Sequence, residues 1–483
     1  MQRATGGRKL VRNRVLRPSM TYQILHDPFW VWCEYHAPRS EAVDETTRYQ
    51  RMLMQQGIEF ERAWTREHYP DAVTIEPAFG IEALKNTLEA MLAGTRAIAQ
   101  PQLWDLGDES YGKADLLVRD ESRGSDLGPF HYRLVEIKRS KSLRDYHVMQ
   151  AALYNKMVGR IQGETPGDLT VALKTGLERV AFTEVEKQLN ETLERWKTLR
   201  GDPRAPEPKR PPGVTSSPWR VYGNKWVESR KDLVLLAGVG TRERVLLRQA
   251  GIQRVDDLWN LSREAVVEIL GEAHGSDAYH VAQAYKTGSP IAKPGTNLAI
   301  PRAKRSLYFD FETSDDVHPT EPPHVYLIGC WDGASDQYVK FLARGAEDEA
   351  RIFTEFFDYV GDMADSRLYH WSDFEVRQME RAILRWPRLE SLVGPLISRC
   401  VDLKNAVQEA VYLPVPSFSI KCVAPALGFH WRQKNFGAFE SMVAYWDFLA
   451  GRGESGVNKA ILYNEDDCIA MWHVDREITK RIA

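Results

Sequence analysis

Apolar residues recur along this chain at two periods, and the switches between them mark its elements. The stretch EAVDETTRYQRMLMQQGIEFERAW (41–64) carries helical spacing. YGKADLLVRD (111–120) and HYRLVEIKRS (131–140) read as strands separated by a polar hairpin region, and YHVMQAALYNKMV (146–158) returns to the helical period. The C-terminal part opens with strand patterns in RSLYFDFET, HVYLIGCWDG and QYVKFLAR, after which helices and short strands alternate. Two proline-rich stretches, GDPRAPEPKRPPGVTSSP (201–218) and TGSPIAKPGTNLAIPRAK (287–304), interrupt these patterns and read as linkers. The expected organisation is an α/β domain over 1–200, a linker over 201–230, a small helical domain over 231–290, a second linker over 291–304 and another α/β domain over 305–483.

Composition narrows the class. With 483 residues the chain suggests about three domains, and 43% hydrophobic with 27% charged residues is the balance of a globular protein. No apolar run reaches the roughly 20 residues of a membrane helix, and no signal-peptide core follows the basic start, so neither membrane insertion nor secretion is expected. Five cysteines (Cys33, Cys330, Cys400, Cys422, Cys468) lie far apart without a C-x-x-C pair. That argues against a disulfide framework or zinc site and for a reducing cytoplasm. The net charge of −3 gives no chain-wide sign of nucleic-acid binding, although a local basic groove matters more than the total. Arg3, Arg8, Lys9, Arg12, Arg14 and Arg17 form a basic start that suits either a phosphate-touching arm or a solubilising tail.

The first chemistry-bearing constellation is Asp115 followed by Glu136-x-Lys138. In a strand, residues two apart share a face, so Glu136 and Lys138 point the same way. Two carboxylates and an ammonium can surround a hard divalent cation, with the lysine serving the attacking water. The plainer reading of Glu136 and Lys138 is a surface ion pair. Gly112 lies three residues before Asp115, Gln150 and Tyr154 lie four apart on the next helix, and Glu61 follows Gly57 on an upstream helix.

Taken in order, G-x-x-D, E-x-K and Q-x-x-x-Y resemble the RecB-type branch of the PD-(D/E)XK nuclease superfamily, which includes CRISPR-associated exonucleases. The resemblance implies a mixed sheet flanked by helices that cleaves DNA with Mg²⁺ or Mn²⁺. Asp115 and Glu136 would hold metal, joined by Glu61 where many relatives carry histidine. Lys138 would serve the water, and Gln150 and Tyr154 would lie along DNA. Many relatives carry an iron–sulfur cluster on four cysteines. Here Cys33 stands alone in this part, so no cluster is expected.

The middle segment, LVLLAGVGTRERVLLRQAGIQRVDDLWNLSREAVVEILG, resembles a helix-hairpin-helix module, which binds DNA without reading sequence. Backbone N–H groups at a glycine turn suit phosphate oxygens. Gly238 and Gly240, with Arg242 and further arginines at 244, 248 and 254, would supply backbone contacts. The plainer reading is a helical spacer.

The second constellation begins with Asp310 and Glu312 in LYFDFET, on one face of a strand. Farther on come Asp373 and Glu375 in LYHWSDFEVRQM, then Tyr463 and Asp467 in YNEDDC, four apart and on one helical face. Four carboxylates from three segments can bind two divalent ions about 4 Å apart. These motifs resemble the DEDD exonucleases of the RNase H-like fold, in the subclass with Tyr-x-x-x-Asp, which removes nucleotides from 3′ ends. That resemblance makes Asp310, Glu312, Glu375 and Asp467 metal ligands and Tyr463 the group that orients water. Relatives carry aspartate where Glu375 stands. Glu465 and Asp466 read as solvated, and His370 as structural.

The whole order resembles predicted bacterial RecB-family nucleases. It implies a metal-dependent DNA nuclease with two active sites, acting on single strands or duplex ends in repair or end processing. Two alternatives stay open: a nuclease for RNA or an RNA–DNA hybrid, and a nucleic-acid-binding scaffold with one or both sites dead.

Overall fold

Each of the two predicted α/β segments forms its own sheet. The computed structural model describes residues 15–295, 300–315, 317, 322–361 and 365–482. The basic residues Arg3, Arg8, Lys9, Arg12 and Arg14 lie outside them. The chain divides into two compact units, one comprising residues up to Thr46, Gln50–Pro208 and Val214–Gly223, the other Thr47–Tyr49, Lys209–Gly213 and everything from Asn224 onward.

The N-terminal sheet has six strands in the order Val73–Thr74, Ala97–Ala99, Leu116–Asp120, His131–Ile137, Asp168–Leu173, Gly176–Ala181. Strand His131–Ile137 pairs antiparallel with Leu116–Asp120 and parallel with Asp168–Leu173. The parallel pair requires a crossover, and helix Asp145–Gln162 supplies it, burying Met149, Leu153 and Met157 on one face. The pattern 111–120 predicted one strand. The backbone instead breaks at Ala114 and Asp115, so Ser110–Lys113 joins a separate hairpin with Gln102–Asp105. Asp115 therefore sits at the mouth of a central strand. The helix predicted from 41 begins at Arg48 and runs to His68, with Phe60 and Trp64 packed on the sheet residues Ala97, Leu116, Val118 and Val135.

The stretch 201–218 is held in place at several points. Val214 is fully buried, and the Thr215 hydroxyl donates to Asp27 Oδ2 at 2.9 Å. The Arg210 guanidinium donates to the carbonyls of Val234 at 3.1 Å and Pro416 at 3.2 Å, and also to those of Leu236 and Val239. The helices Thr241–Gln249, Arg263–Leu270 and Glu272–Thr287 that follow fall in the same compact unit as the C-terminal sheet.

The C-terminal sheet runs Gln337–Leu342, Val325–Asp332, Arg305–Thr313, Ser366–His370, Cys400–Asp402. The first three strands are antiparallel and the last three parallel. Alternation along Arg305–Thr313 sorts its side chains by face. Phe309 and Phe311 pack towards Phe353 and Phe356 of helix Glu349–Val360. Tyr308, Asp310 and Glu312 share the opposite face, where the Tyr308 hydroxyl donates to Asp475 at 2.6 Å. Asp475 belongs to helix Ser455–Ile482, whose Ala470, Met471, Val474 and Ile478 join Tyr308 and Tyr369 in one core. Burial of that apolar stripe fixes the helix across the acidic face of the strand.

Candidate active sites

In the N-terminal unit, Glu136 is fully buried in its strand. Lys138 Nζ donates to Glu136 Oε2 at 2.7 Å and to Asp115 Oδ2 at 3.3 Å. The strands themselves hold the carboxylates: Ile137 N donates to Asp115 Oδ2 at 2.8 Å, and Asp115 N to Glu136 Oε1 at 3.4 Å. Burial first, and then the neighbouring Asp115, push the Glu136 carboxyl up to about 8 and the Glu61 carboxyl up to about 7. Burial opposes the Lys138 ammonium, yet Asp115 and Glu136 together hold its pKa above the ordinary value. Glu136 and Lys138 therefore form an interior ion pair, not the surface pair of the plainer reading.

Glu61 accepts from the Gln100 amide and, with Asp115, lines a cleft of about 540 Å³ that also takes in Arg62, Arg66, Lys113, Tyr69 and Ile58. Gln150 donates to Glu136 Oε2 at 3.3 Å, so it braces a carboxylate from the helix side. Tyr154 is nearly fully buried, and its hydroxyl donates to the Lys113 carbonyl at 2.7 Å. It is thus placed inside the unit, not along a nucleic-acid track as the resemblance implied. The close approach explains Gly112: a Cβ there would lie 2.8 Å from the Tyr154 hydroxyl. The glycine and tyrosine motifs meet because only glycine leaves room for the ring.

In the helical segment, Gly238 adopts φ +80°, where a side chain is strained. A Cβ at Gly240 would collide with the Glu243 carboxylate, so an acidic group lies beside this helix start, where a phosphate was expected. Arg242 is exposed. Arg244 is buried and donates to the Val239 carbonyl at 2.9 Å. Arg248 pairs with Asp232 at 3.2 Å and Arg254 with Asp256 at 3.0 Å. Of the four arginines, Arg242 offers the clearest outward charge.

The C-terminal centre gathers three carboxylates. Oxygens of Asp310, Glu312 and Asp467 all lie within 4.8 Å of one another. Asp310 and Glu312 come from the strand face described above, and Asp467 from the helix laid across it. Burial raises all three carboxyl pKa values: Asp310 well above its usual range with Asp467 and Glu312 adding to the effect, Glu312 to about 8, and Asp467 upward despite Lys421. Tyr463 lies against Asp467, its phenol pushed up first by burial and then by that carboxylate. The oxygen-only donor set suits a hard divalent cation such as Mg²⁺ or Mn²⁺, and such crowding is costly without one. The residues fit the group.

Glu375 departs from the expectation. Its carboxylate stands outside the group of three, near enough to Asp310 to add to the rise in that carboxyl's pKa, and lies 3.6 Å from His370 Nδ1, both side chains being buried. Its Oε2 has no hydrogen-bond partner. The preceding turn is unusual, with Ser372 at φ +97° and its carbonyl accepting from His370 Nδ1. His370 is thus structural in its contacts, and it holds the turn that aims Glu375. Asp466, expected in solvent, is almost fully buried and pairs with Arg432 Nε at 2.6 Å. Glu465 binds the same guanidinium at 2.8 Å.

Several residues of this centre were not singled out in the sequence. Asn464 Nδ2 donates to the Asp310 carbonyl at 3.1 Å and to Asp310 Oδ2 at 2.8 Å. Trp431 Nε1 donates to Asp467 Oδ1 at 2.6 Å, and the Lys421 ammonium pairs with the same oxygen. Tyr326 and Ser441, 2.7 Å apart, support Glu312. Asn464 stood in plain view between Tyr463 and the acidic run. Lys421 and Trp431 lie in SFSIKCVAPALGFHW, where apolar spacing gives no sign of them.

Comparison with known families bears on this half. The RNase H superfamily model matches residues 307–479, so the C-terminal domain is RNase H-like, and its match suggests metal-dependent nuclease chemistry. No curated protein matches the chain. Among the described residues no helix is long and apolar enough to cross a membrane.

Proposed function

We propose that this protein is a divalent-metal-dependent DNA nuclease with two catalytic centres, acting on single strands or duplex ends in repair or end processing. The observation that carries the reading is the convergence of Asp310, Glu312 and Asp467 from a strand and a distant helix to within 4.8 Å. Mg²⁺ or Mn²⁺, when bound, supplies charge stabilisation at phosphorus and a more acidic water. The chain's residues do the rest. In the C-terminal centre Asp310, Glu312 and Asp467 hold the cation, Asn464 keeps Asp310 aimed, and the Tyr463 hydroxyl orients the attacking water. Glu375 is a ligand in this scheme only if its carboxylate turns from His370 when cation binds.

In the N-terminal centre Asp115 and Glu136 are the ligands, Glu61 closes the set, and Lys138 steadies the nucleophile. The cleft beside them, with Arg62, Arg66 and Lys113 on its walls, offers cations to a phosphodiester backbone while Tyr69 and Ile58 offer apolar surface to a base. Gln150 and Tyr154 support the ligands from behind. Gly238, Gly240 and Arg242 are proposed as a backbone contact that forms once Glu243 swings aside.

End-labelled single- and double-stranded DNA and RNA, incubated with wild type, Asp115→Ala and Asp310→Ala, test the proposal. Each variant is expected to lose a different Mg²⁺- or Mn²⁺-dependent product. Two variants that cut like wild type overturn it. The displaced Glu375 favours one competing reading, a scaffold whose C-terminal centre is inactive. That reading expects tight DNA binding with loss of product only in Asp115→Ala.

A further inference from the structure

Lys421 is the one cation that touches the C-terminal carboxylates directly among the described residues, and nothing in the motif pattern required it. Its ammonium pairs with Asp467 Oδ1, the oxygen that also accepts from Trp431 Nε1 at 2.6 Å. The same nitrogen lies 4.1 Å from the centre of the Trp431 ring and 4.2 Å from that of Tyr463. Two aromatic faces and a carboxylate thus fix one lysine head, a geometry in which each ring adds attraction for the charge. The lysine side chain is 37% exposed, so it stands at the solvent edge of the cluster while its nitrogen is held on Asp467.

We propose that Lys421 is the built-in second cation of this centre: one divalent ion binds among Asp310, Glu312 and Asp467, and the Lys421 ammonium takes the role expected of a second ion. The inference rests on the metal reading of the C-terminal centre given above. Charge supports it. Three carboxylates with Lys421 carry a net charge of minus two, which one divalent ion neutralises. A second ion would leave an excess of two positive charges among these three carboxylates and Lys421. Bound cations are often the largest local charges in a site, so such an excess is a strong barrier. The fourth carboxylate, Glu375, acts on Asp310 from outside the group of three and lies 3.6 Å from His370 Nδ1, so it offsets that excess only in part. An ammonium on the Asp467 oxygen also blocks that oxygen from bridging two ions. The N-terminal centre has the same construction, with Lys138 lying on both Asp115 and Glu136.

The test counts bound Mn²⁺ per full-length chain by electron paramagnetic resonance and calorimetry. The Asp115→Ala chain is the parent, and the count at the C-terminal centre is its difference from Asp115→Ala/Asp310→Ala. The expected difference is one ion for the parent, two when Lys421→Met is added, and one when Lys421→Arg is added, since arginine keeps the charge. A zero difference in the parent overturns the metal reading and this inference with it. Two ions with Lys421 in place, or one after Lys421→Met in a chain that melts like the parent, overturns the role of Lys421 alone. Should Lys421→Met not fold, Lys421→Gln serves as the neutral variant and is read in the same way.

Discussion

Asn464 clasps Asp310 twice, at its carbonyl and at its carboxylate, 3.1 and 2.8 Å away. The amide is in turn held by the Tyr338 hydroxyl, which donates to Asn464 Oδ1 at 2.8 Å. Both meet over Gly329, which pairs with Asp310 across the antiparallel strands. A Cβ at Gly329 would overlap Asn464 Oδ1 and lie 2.7 Å from the Tyr338 hydroxyl. The flat strand at Gly329 is what lets a helix side chain reach a strand carboxylate.

Gly329→Ala should therefore dislodge Asn464 and loosen Asp310. Overpacking of this kind costs about 1–3 kcal/mol, and the C-terminal product should fall with it. Denaturant melts and end-labelled digestion check the two effects. A variant with wild-type stability and product would show that the amide clasp is dispensable.

Lys138→Met keeps an unbranched side chain, one heavy atom shorter, and removes its charge. The Asp115 and Glu136 carboxylates then face each other without a neutralising partner. Loss of a group that serves the attacking water typically costs about 10²-fold or more, so the N-terminal product should drop by that order while the C-terminal one persists. Product analysis on one labelled duplex separates the two. Equal loss of both products would point to a fold defect instead.

Stability of the metal-free chain should depend on pH in a defined direction. Glu136 and Glu312 titrate at about 8 and Glu61 at about 7 in the folded chain, against an ordinary value of 4.5. These folded values are raised, so between pH 4.5 and about 8 the folded state holds protons that the unfolded state has released. The contribution is complete below 4.5 and is lost as the pH rises through 8. Melting temperature without metal should decline from pH 5 to 8, and Mg²⁺ should restore more at pH 8 than at pH 5.5, because cations bind deprotonated carboxylates. A melting temperature that climbs across this window, with or without Mg²⁺, would contradict the burial of these groups.

Arg210→Ala probes the stretch that reads as a linker. The guanidinium donates to carbonyls of Val234, Leu236, Val239 and Pro416, and each charged hydrogen bond contributes about 1.5–3 kcal/mol. Even with partial replacement by water, a loss of about 3 kcal/mol is expected. Chemical denaturation measures it, and Arg210→Lys should recover only part, because one ammonium cannot span four carbonyls. A neutral effect would mean that these carbonyls are as well served by solvent.

The sequence carried the elements of both sheets because periodicity is written in neighbouring residues. Strand Arg305–Thr313 matches its pattern residue for residue, and the E-x-K face of Glu136 and Lys138 follows from alternation alone. Tyr463 and Asp467 share a helical face for the same local reason. The break at Ala114 and Asp115 was hidden, since both sides of it read as strand.

What the sequence determined by itself is therefore the set of acidic residues and the faces on which they stand. Which of them meet was decided only by tertiary packing. The apolar stripe of helix Ser455–Ile482 brings Asp467 to Asp310 and Glu312, while the turn at Ser372 leaves Glu375 with His370. The same packing buries Asp466 on Arg432 and seats Lys421 on Asp467. Charges so far apart along the chain interact through space, at distances set by helix placement, and no local pattern encodes those distances.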